Sequence, residues 1–176
     1  MLRRAELGDV EARLALGNDA AIVAMFGGSR ADAAPVTRED AAKAIAAMMD
    51  NPFAWVIDAG GYIGSARLHG VDRRDRRASF AIGILDPSRL GQGLGTEATR
   101  LVLEYAFRQL GLHRISVRVL AHNERAVRCY AKCGFVVEGR EREAASVDGA
   151  WHDDLIMGVL DREFLAVEAR NSKSVP

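Results

Sequence analysis

This chain has no surplus of charge of either sign. Its 24 Lys and Arg residues are matched by 24 Asp and Glu, for a formal net charge of zero at pH 7. Nucleic acid binds through a basic surface that displaces counterions, so the balance argues against a nucleic-acid partner. Long apolar runs are missing too. None approaches the roughly 20 residues a bilayer-spanning helix needs. The N-terminus, Met1-Leu-Arg-Arg-Ala-Glu, lacks the apolar core of a signal peptide. The expectation is a cytoplasmic protein with no membrane partner. Cysteine occurs only at 129 and 133. Two thiols one helical turn apart, without histidines at ligand spacing, make a poor zinc site. In a reducing compartment they read as packing residues, and no metal is expected. There is no linker and no internal repeat. Residues 1–168 read as a single domain and residues 169–176 as a flexible tail. Arginine supplies 21 of the 24 basic residues, and the run Arg73-Arg74-Asp75-Arg76-Arg77 reads as a solvated hairpin loop.

What the chain does have is concentrated in two stretches. Asn123-Glu-Arg-Ala-Val-Arg-Cys-Tyr-Ala-Lys-Cys-Gly-Phe135 reads as a short helix. Asn123 suits the N-cap, where its side chain accepts from a free first-turn amide. Gly134 suits the left-handed position beyond the last turn. Ala126, Val127 and Tyr130 share one face, and a buried phenol needs a partner for its hydroxyl. Upstream, residues 82 to 98 read Ile-Gly-Ile-Leu-Asp-Pro-Ser-Arg-Leu-Gly-Gln-Gly-Leu-Gly-Thr-Glu-Ala. A β-type run ends at Asp86-Pro87. Gly91, Gly93 and Gly95 then lead into a helix. Lacking Cβ atoms, they allow a tight turn that presents amides to an anion, at the positive end of the helix dipole. That is a pyrophosphate site on physical grounds. Gly93-x-Gly95-x-x-Ala98 also fits the loose dinucleotide fingerprint. That reading needs an acid at the end of the next strand, and the strand here ends Leu120-Ala121-His122.

Together the two stretches resemble the signatures of the GCN5-related N-acetyltransferases, the GNAT superfamily. Leu90 stands where that family usually carries Arg or Gln, a departure that leaves the backbone cradle intact. The segment Glu138-Gly139-x-x-Arg142 with Trp151-x-Asp153 further resembles the RimJ/RimL-type ribosomal-protein N-acetyltransferases. The resemblance implies acetyl-CoA as cosubstrate, held by Leu90, Gly91, Gln92, Gly93, Leu94, Gly95 and Thr96, and by Asn123 at the head of the second signature. It also implies that two central strands splay apart and that the pantetheine arm bonds to exposed backbone at Gly83, Ile84 and Leu85. It further implies that Tyr130 is the catalytic acid toward the departing thiolate. The implied acceptor is a primary amine, among them a protein N-terminus. The alternatives are a small amine (polyamine or aminoglycoside) or a non-catalytic acyl-CoA-binding regulator. A monomer or homodimer is expected.

The element order supports an α+β fold. Two helical pieces lie between residues 9 and 26, and Thr37-x-x-Asp40 opens an alanine-rich helix as a capping box. Strands are expected at 53–58 and 62–68 around Gly60-Gly61 and at 77–85, the latter two joined by a loop at 70–76. A helix over 96–110 carries the stripe Ala98, Leu101, Val102, Tyr105 and Ala106. A strand at 115–120, the signature helix and two last strands complete the chain. The expected architecture is a mixed, mostly antiparallel sheet of 6–7 strands flanked by helices, with a splayed central strand pair as the resemblance implies. A general base is not legible. The splayed strands offer Ser79, Phe80 and Arg118 rather than a carboxylate, leaving His69, His152, Asp72, Asp75 and Asp153 as candidates beside deprotonation through water.

Overall fold

The computed structural model describes residues 1–172. Its N-terminal part is a short β1 (Leu2–Arg3), α1 (Asp9–Leu16), α2 (Ala20–Met25) and α3 (Arg38–Asp50). Then β2 (Ala54–Asp58), β3 (Tyr62–Asp72) and β4 (Arg77–Ile84) form an antiparallel meander. After the glycine loop come α4 (Leu94–Glu104), β5 (Arg114–Leu120) and α5 (Glu124–Lys132). The hairpin β6 (Val136–Val147) and β7 (Ala150–Leu160) leads into α6 (Asp161–Ser172). All seven strands join one sheet in the order β1-β2-β3-β4-β5-β7-β6. Among the described residues only the β4–β5 pair is parallel. This is the mixed, mostly antiparallel sheet expected from the sequence.

Local chemistry sets the element ends. Thr37 accepts from the Asp40 amide, and Asp40 reaches back to the Thr37 amide and hydroxyl, a reciprocal capping box. Asp19 caps α2 through the Ile22 amide. Gly134 turns the chain out of α5 at φ 95°. The α4 stripe differs from the expected one. Ala98, Thr99, Val102 and Leu103 are its buried residues, with Ala106 buried just beyond its end, whereas Leu101 is 38% exposed. Thr99 can be buried because its hydroxyl donates to the Gly95 carbonyl at 2.7 Å. The helix also loosens into a π-type turn over Tyr105–Gln109, where the Leu110 amide reaches the Tyr105 carbonyl. β3 runs on to Asp72, so the expected 70–76 loop shrinks to a turn whose Arg74 and Asp75 amides are held by Asp72. The C-terminal helix continues through Ser172, so residues 169–172 of the expected tail are helical. The rest of that tail, 173–176, lies outside the described residues.

The functional consequence of the fold is a gap. β4 and β5 pair only at Arg77↔Arg114, Ala78↔Ile115 and Ser79↔Ser116. Beyond Ser79 the strands part, as the resemblance implied. Phe80 begins the unpaired stretch of β4, and Tyr130 of α5 packs edge-on against it with ring centroids 6.3 Å apart. Phe135 lies against both rings. This aromatic trio sits where the ladder ends, with α4 and α5 on one face of the sheet and α1–α3 on the other.

The unpaired edge of β4 has a defined polarity. Leu85 donates its amide to the Ile63 carbonyl at 2.8 Å. Bonded and open pairs alternate along an antiparallel ladder, and the β3–β4 register is regular from Gly64↔Ile84 to Arg67↔Ala81. Gly83 therefore turns its polar backbone to β3, while Ile82 and Ile84 turn theirs into the gap. The Gly83 carbonyl oxygen in fact lies where a Cβ on Gly64 would sit. Gly64→Ala should push β3 from β4 at this edge and destabilise the fold by about 1–3 kcal/mol. Thermal unfolding checks this. An unchanged Tm would show that the carbonyl is free to move aside.

Candidate functional site

The gap opens into a cavity of about 870 Å³. One wall is β4 at Phe80, Ala81, Ile82 and Ile84, and the facing wall is β5 from Val117 to Leu120. α2 and the residues after it close the third side with Ile22, Met25, Phe26 and Gly27. Phe26 lies over the Gly83 backbone, and a Cβ on Gly83 would meet its ring edge at 3.0 Å. Glycine at 83 thus lets an aromatic ring, 53% exposed, cover the strand.

The glycine loop forms the deep end. After Asp86 a 3₁₀ turn spans Pro87–Arg89, anchored by Asp86 accepting from the Ser88 amide and hydroxyl. Gly91 and Gly93 adopt φ 77° and 83°, which a side chain disfavours. Gly93 is the N-cap of α4 and offers no side-chain cap. The first-turn amides of α4 are therefore left for a ligand, with the helix dipole behind them. Leu90, Gly91, Gly93, Gly95 and Thr96 reach the cavity wall. Gln92 does not; its side chain donates to the Ser88 carbonyl at 2.8 Å. Leu94 packs into the main core instead. The basic side chains Arg89, Arg125, Arg128 and Lys132 also line the cavity, on elements next to the loop.

Of the strand residues carried over by resemblance, only Ile84 faces the gap with its polar backbone. Leu85 is packed into the smaller core with Val56 and Tyr62. Asn123 reaches the wall, but its side chain is engaged at both ends. Its oxygen accepts from the Ala126 amide at 3.2 Å, capping α5, and its nitrogen donates to the Met25 carbonyl at 3.1 Å. It ties the signature helix to α2. Tyr130 is 6% exposed and lines the cavity. Burial pushes its phenol above the usual value, so the hydroxyl stays protonated. No hydrogen bond to that hydroxyl is formed among the described residues.

The candidate bases are placed elsewhere. Asp153 holds Arg140 and the Glu143 amide, a structural use at the β6 bulge. Asp72 is the turn cap already described, and Asp75 is exposed beside Arg77. His152 packs against His122 with the rings tilted by 57° and centroids 4.8 Å apart. His69 is on the surface, its pKa lowered by burial and then by Arg67. None of these lines the cavity. Sequence reading passed over the carboxylate that does. Asp154 is 3% exposed and lies on the cavity wall beside Arg118. The available signal was strand parity: Asp154 falls on the face of β7 opposite Met157 and Val159, which enter the core.

Among the described residues no helix is long and apolar enough to cross a membrane, and no group of three or more His, Cys, Asp or Glu is placed to hold a metal ion.

Comparison with known proteins gives consistent relatives. A family model for an acetyltransferase (GNAT) domain matches residues 1–136. Spermidine N(1)-acetyltransferase of Escherichia coli K12 is 33% identical over 103 residues, 58% of this chain and 55% of that protein. The [ribosomal protein uS5]-alanine N-acetyltransferase of the same organism is 30% identical over 94 residues, 53% of this chain and 48% of that protein. The chain thus spans about half the length of the curated relatives it matches. The crystal structure of spermidine N-acetyltransferase from Vibrio cholerae in complex with CoA and spermine superposes with a TM-score of 0.77 at 28% identity, covering 94% of this chain and 97% of that one.

Cys129 also lines the cavity, beside the loop. Its sulfur accepts from the Thr96 hydroxyl at 3.4 Å, and the Cys133 thiol, one turn on, donates to the Thr96 carbonyl at 3.6 Å. Against the opposing effect of burial, the neighbouring Cys133 thiol and then the Thr96 and Thr99 hydroxyls pull the Cys129 thiol down to about 6. The neighbouring Cys129 sulfur and burial push Cys133 up. The thiolate is the reactive form and is present above the thiol pKa. Alkylation of Cys129 by iodoacetamide should therefore be near its plateau at neutral pH and fall as pH drops through about 6, while Cys133 stays unlabelled. Mass spectrometry across pH checks this. A midpoint at the ordinary thiol value of about 8.5 would contradict it.

Proposed function

This chain belongs to the GNAT acetyltransferase family, and from that premise we propose that it moves an acetyl group from acetyl-CoA directly to a primary amine. The carrying observation is the β4–β5 gap. In one cavity it brings together the outward backbone of Ile82 and Ile84, the uncapped N-terminus of α4, and Tyr130. Residues 1–168 act in this reading as one acetyltransferase domain.

Each part has a task. The loop amides and α4 dipole receive the pyrophosphate. The basic residues 89, 125, 128 and 132 supply counter-charge for the phosphates. The Ile82 and Ile84 backbone fixes the pantetheine arm as an added strand edge would. At the reacting end, an amide of β4 stabilises the thioester oxygen as negative charge develops. Tyr130 donates a hydrogen bond to the departing sulfur. Full proton transfer is uphill, because the phenol holds its proton more tightly than a thiol does. The hydroxyl therefore acts while the C–S bond breaks rather than after it.

For the acceptor we favour a protein N-terminal amine, whose pKa near 8 leaves more free base at neutral pH than an alkylamine near 10.4. Apart from the four basic residues assigned to the phosphates, the charged side chains that line the cavity are Arg118 and Asp154, 2.7 Å apart. The polyamine reading draws its support from the spermine complex of the Vibrio cholerae relative.

A thiol-release assay with acetyl-CoA, peptides bearing free N-termini, spermidine and an aminoglycoside tests the proposal. CoA release with at least one amine is expected. No release with any amine, despite tight acetyl-CoA binding, would leave an acyl-CoA-binding regulator. Gly93→Val should weaken acetyl-CoA binding at least tenfold by calorimetry, because the left-handed conformation at the head of α4 rejects a β-branched residue. Tyr130→Phe should keep acetyl-CoA affinity and lower kcat roughly tenfold or more, within the usual range for acid assistance. Unchanged turnover in that variant would make the phenol a packing residue.

A further inference from the structure

We propose that Asp154 docks the ammonium group of the acceptor, and that Arg118 holds its place until the acceptor arrives. The inference rests on the acetyltransferase reading and supplies the recognition residue that reading lacks.

Asp154 is more than nine-tenths buried yet lines the cavity that contains Tyr130. Its Oδ2 lies 2.7 Å from Arg118 Nε. The approach is too poorly aligned for a hydrogen bond, and the oxygen has no other partner among the described residues. A buried carboxylate without aligned donors is unfavourable. At a cavity wall, a cation with movable N–H donors completes it better than this guanidinium does. A primary ammonium carries three such donors.

The pair is not needed to hold the sheet. β5 and β7 already share a continuous ladder from Arg114↔Leu160 to Leu120↔Asp154. Arg118 is also poorly committed. Its side chain is 59% exposed, and its Nη1 stands 4.0 Å from the Glu141 carboxylate, itself 54% exposed. When an ammonium takes Asp154, Arg118 has a second acid at the rim to turn to. Strand parity puts both residues on the sheet face opposite the one that α4 and α5 cover, since Val117, Val119, Met157 and Val159 enter the core with Val102 and Leu103. Tyr130 thus reaches the gap from one face and Asp154 from the other. The displaced guanidinium stays close by and disfavours a second positive charge. The acceptor class that fits is an amine with one ammonium and neutral or anionic neighbours; it reacts after giving one proton to water, and the neutral amine then attacks the thioester as the CoA thiolate leaves.

The test compares the wild type with Asp154→Asn and Arg118→Gln, using an alanine-led peptide with a free N-terminus and spermidine as probes. Asp154→Asn should raise the KM for the peptide at least tenfold. Its acetyl-CoA affinity should stay within twofold and its Tm near that of the wild type. Arg118→Gln should lower the peptide KM by removing the competing cation, and should improve spermidine more than the peptide. A peptide KM within twofold of wild type in Asp154→Asn overturns the proposal. So does an Arg118→Gln variant whose KM rises, and that outcome stands even if Asp154→Asn does not fold. If the wild type transfers no acetyl group, the acetyltransferase reading fails by itself. Calorimetric titration of the CoA-loaded proteins with the same two amines then still decides Asp154. Binding by wild type that is lost in Asp154→Asn supports it, and no amine binding by wild type overturns it.

Discussion

The site depends on where one strand pairing ends. β4 and β5 begin as ordinary parallel neighbours and separate after Ser79 and Ser116. A sheet normally satisfies its backbone polar groups by completing the ladder. Here the ladder stops, and the rings of Phe80, Tyr130 and Phe135 occupy the point of separation. The polar backbone of Ile82 and Ile84 is left facing a cavity instead of a strand. That edge, next to an uncapped helix start, is the feature that suits an extended, amide-bearing ligand ending in phosphates. Neither half is sufficient alone, because a glycine loop without the gap would hold phosphate but place no thioester.

Electrostatics follow the same division. Whole-chain charge sums to zero, which argued against a polymer of phosphates. It says nothing about distribution. The cavity wall gathers arginines and a lysine, whereas many acids elsewhere cap turns or pair with arginines: Asp58 and Asp9 with Arg3, Asp72 within its turn, Asp153 with Arg140. Acidic residues are thus plentiful in the chain but nearly absent from the site. That scarcity makes the lone cavity carboxylate informative.

Much of this was legible in the sequence where local chemistry decides structure. The capping box at Thr37, the Asn123 cap, the Gly134 exit and the strained glycines of the loop are positional signals that tertiary packing did not override. What was not legible depends on parity and on distant partners. The run Gly83 to Leu85 could be located, but which of its amides faces the gap follows from the β3 register, fixed by the Leu85–Ile63 bond. Asn123 fits the signature as expected, yet its nitrogen is used by Met25, 98 residues away. Phe26 became a wall of the cavity only because Gly83 lies beneath it. Asp153 and Asp154 are adjacent in sequence, and the strand pairing decides which of them meets the cavity. Leu101 is exposed for a related reason, since a helix with a wide buried face admits Thr99 and Leu103 once Thr99 bonds back to Gly95.

The central claim is that the unpaired β4 edge is the docking strand for the acyl donor. A crystal structure of the protein with acetyl-CoA bound tests it most directly. The account requires the pantetheine arm in the gap, hydrogen-bonded to the backbone of Ile82 and Ile84, with the pyrophosphate over the first turn of α4 and the thioester beside Tyr130. Acetyl-CoA bound outside the gap, or β5 closed onto β4 beyond Ser79 and Ser116 in the complex, would contradict it.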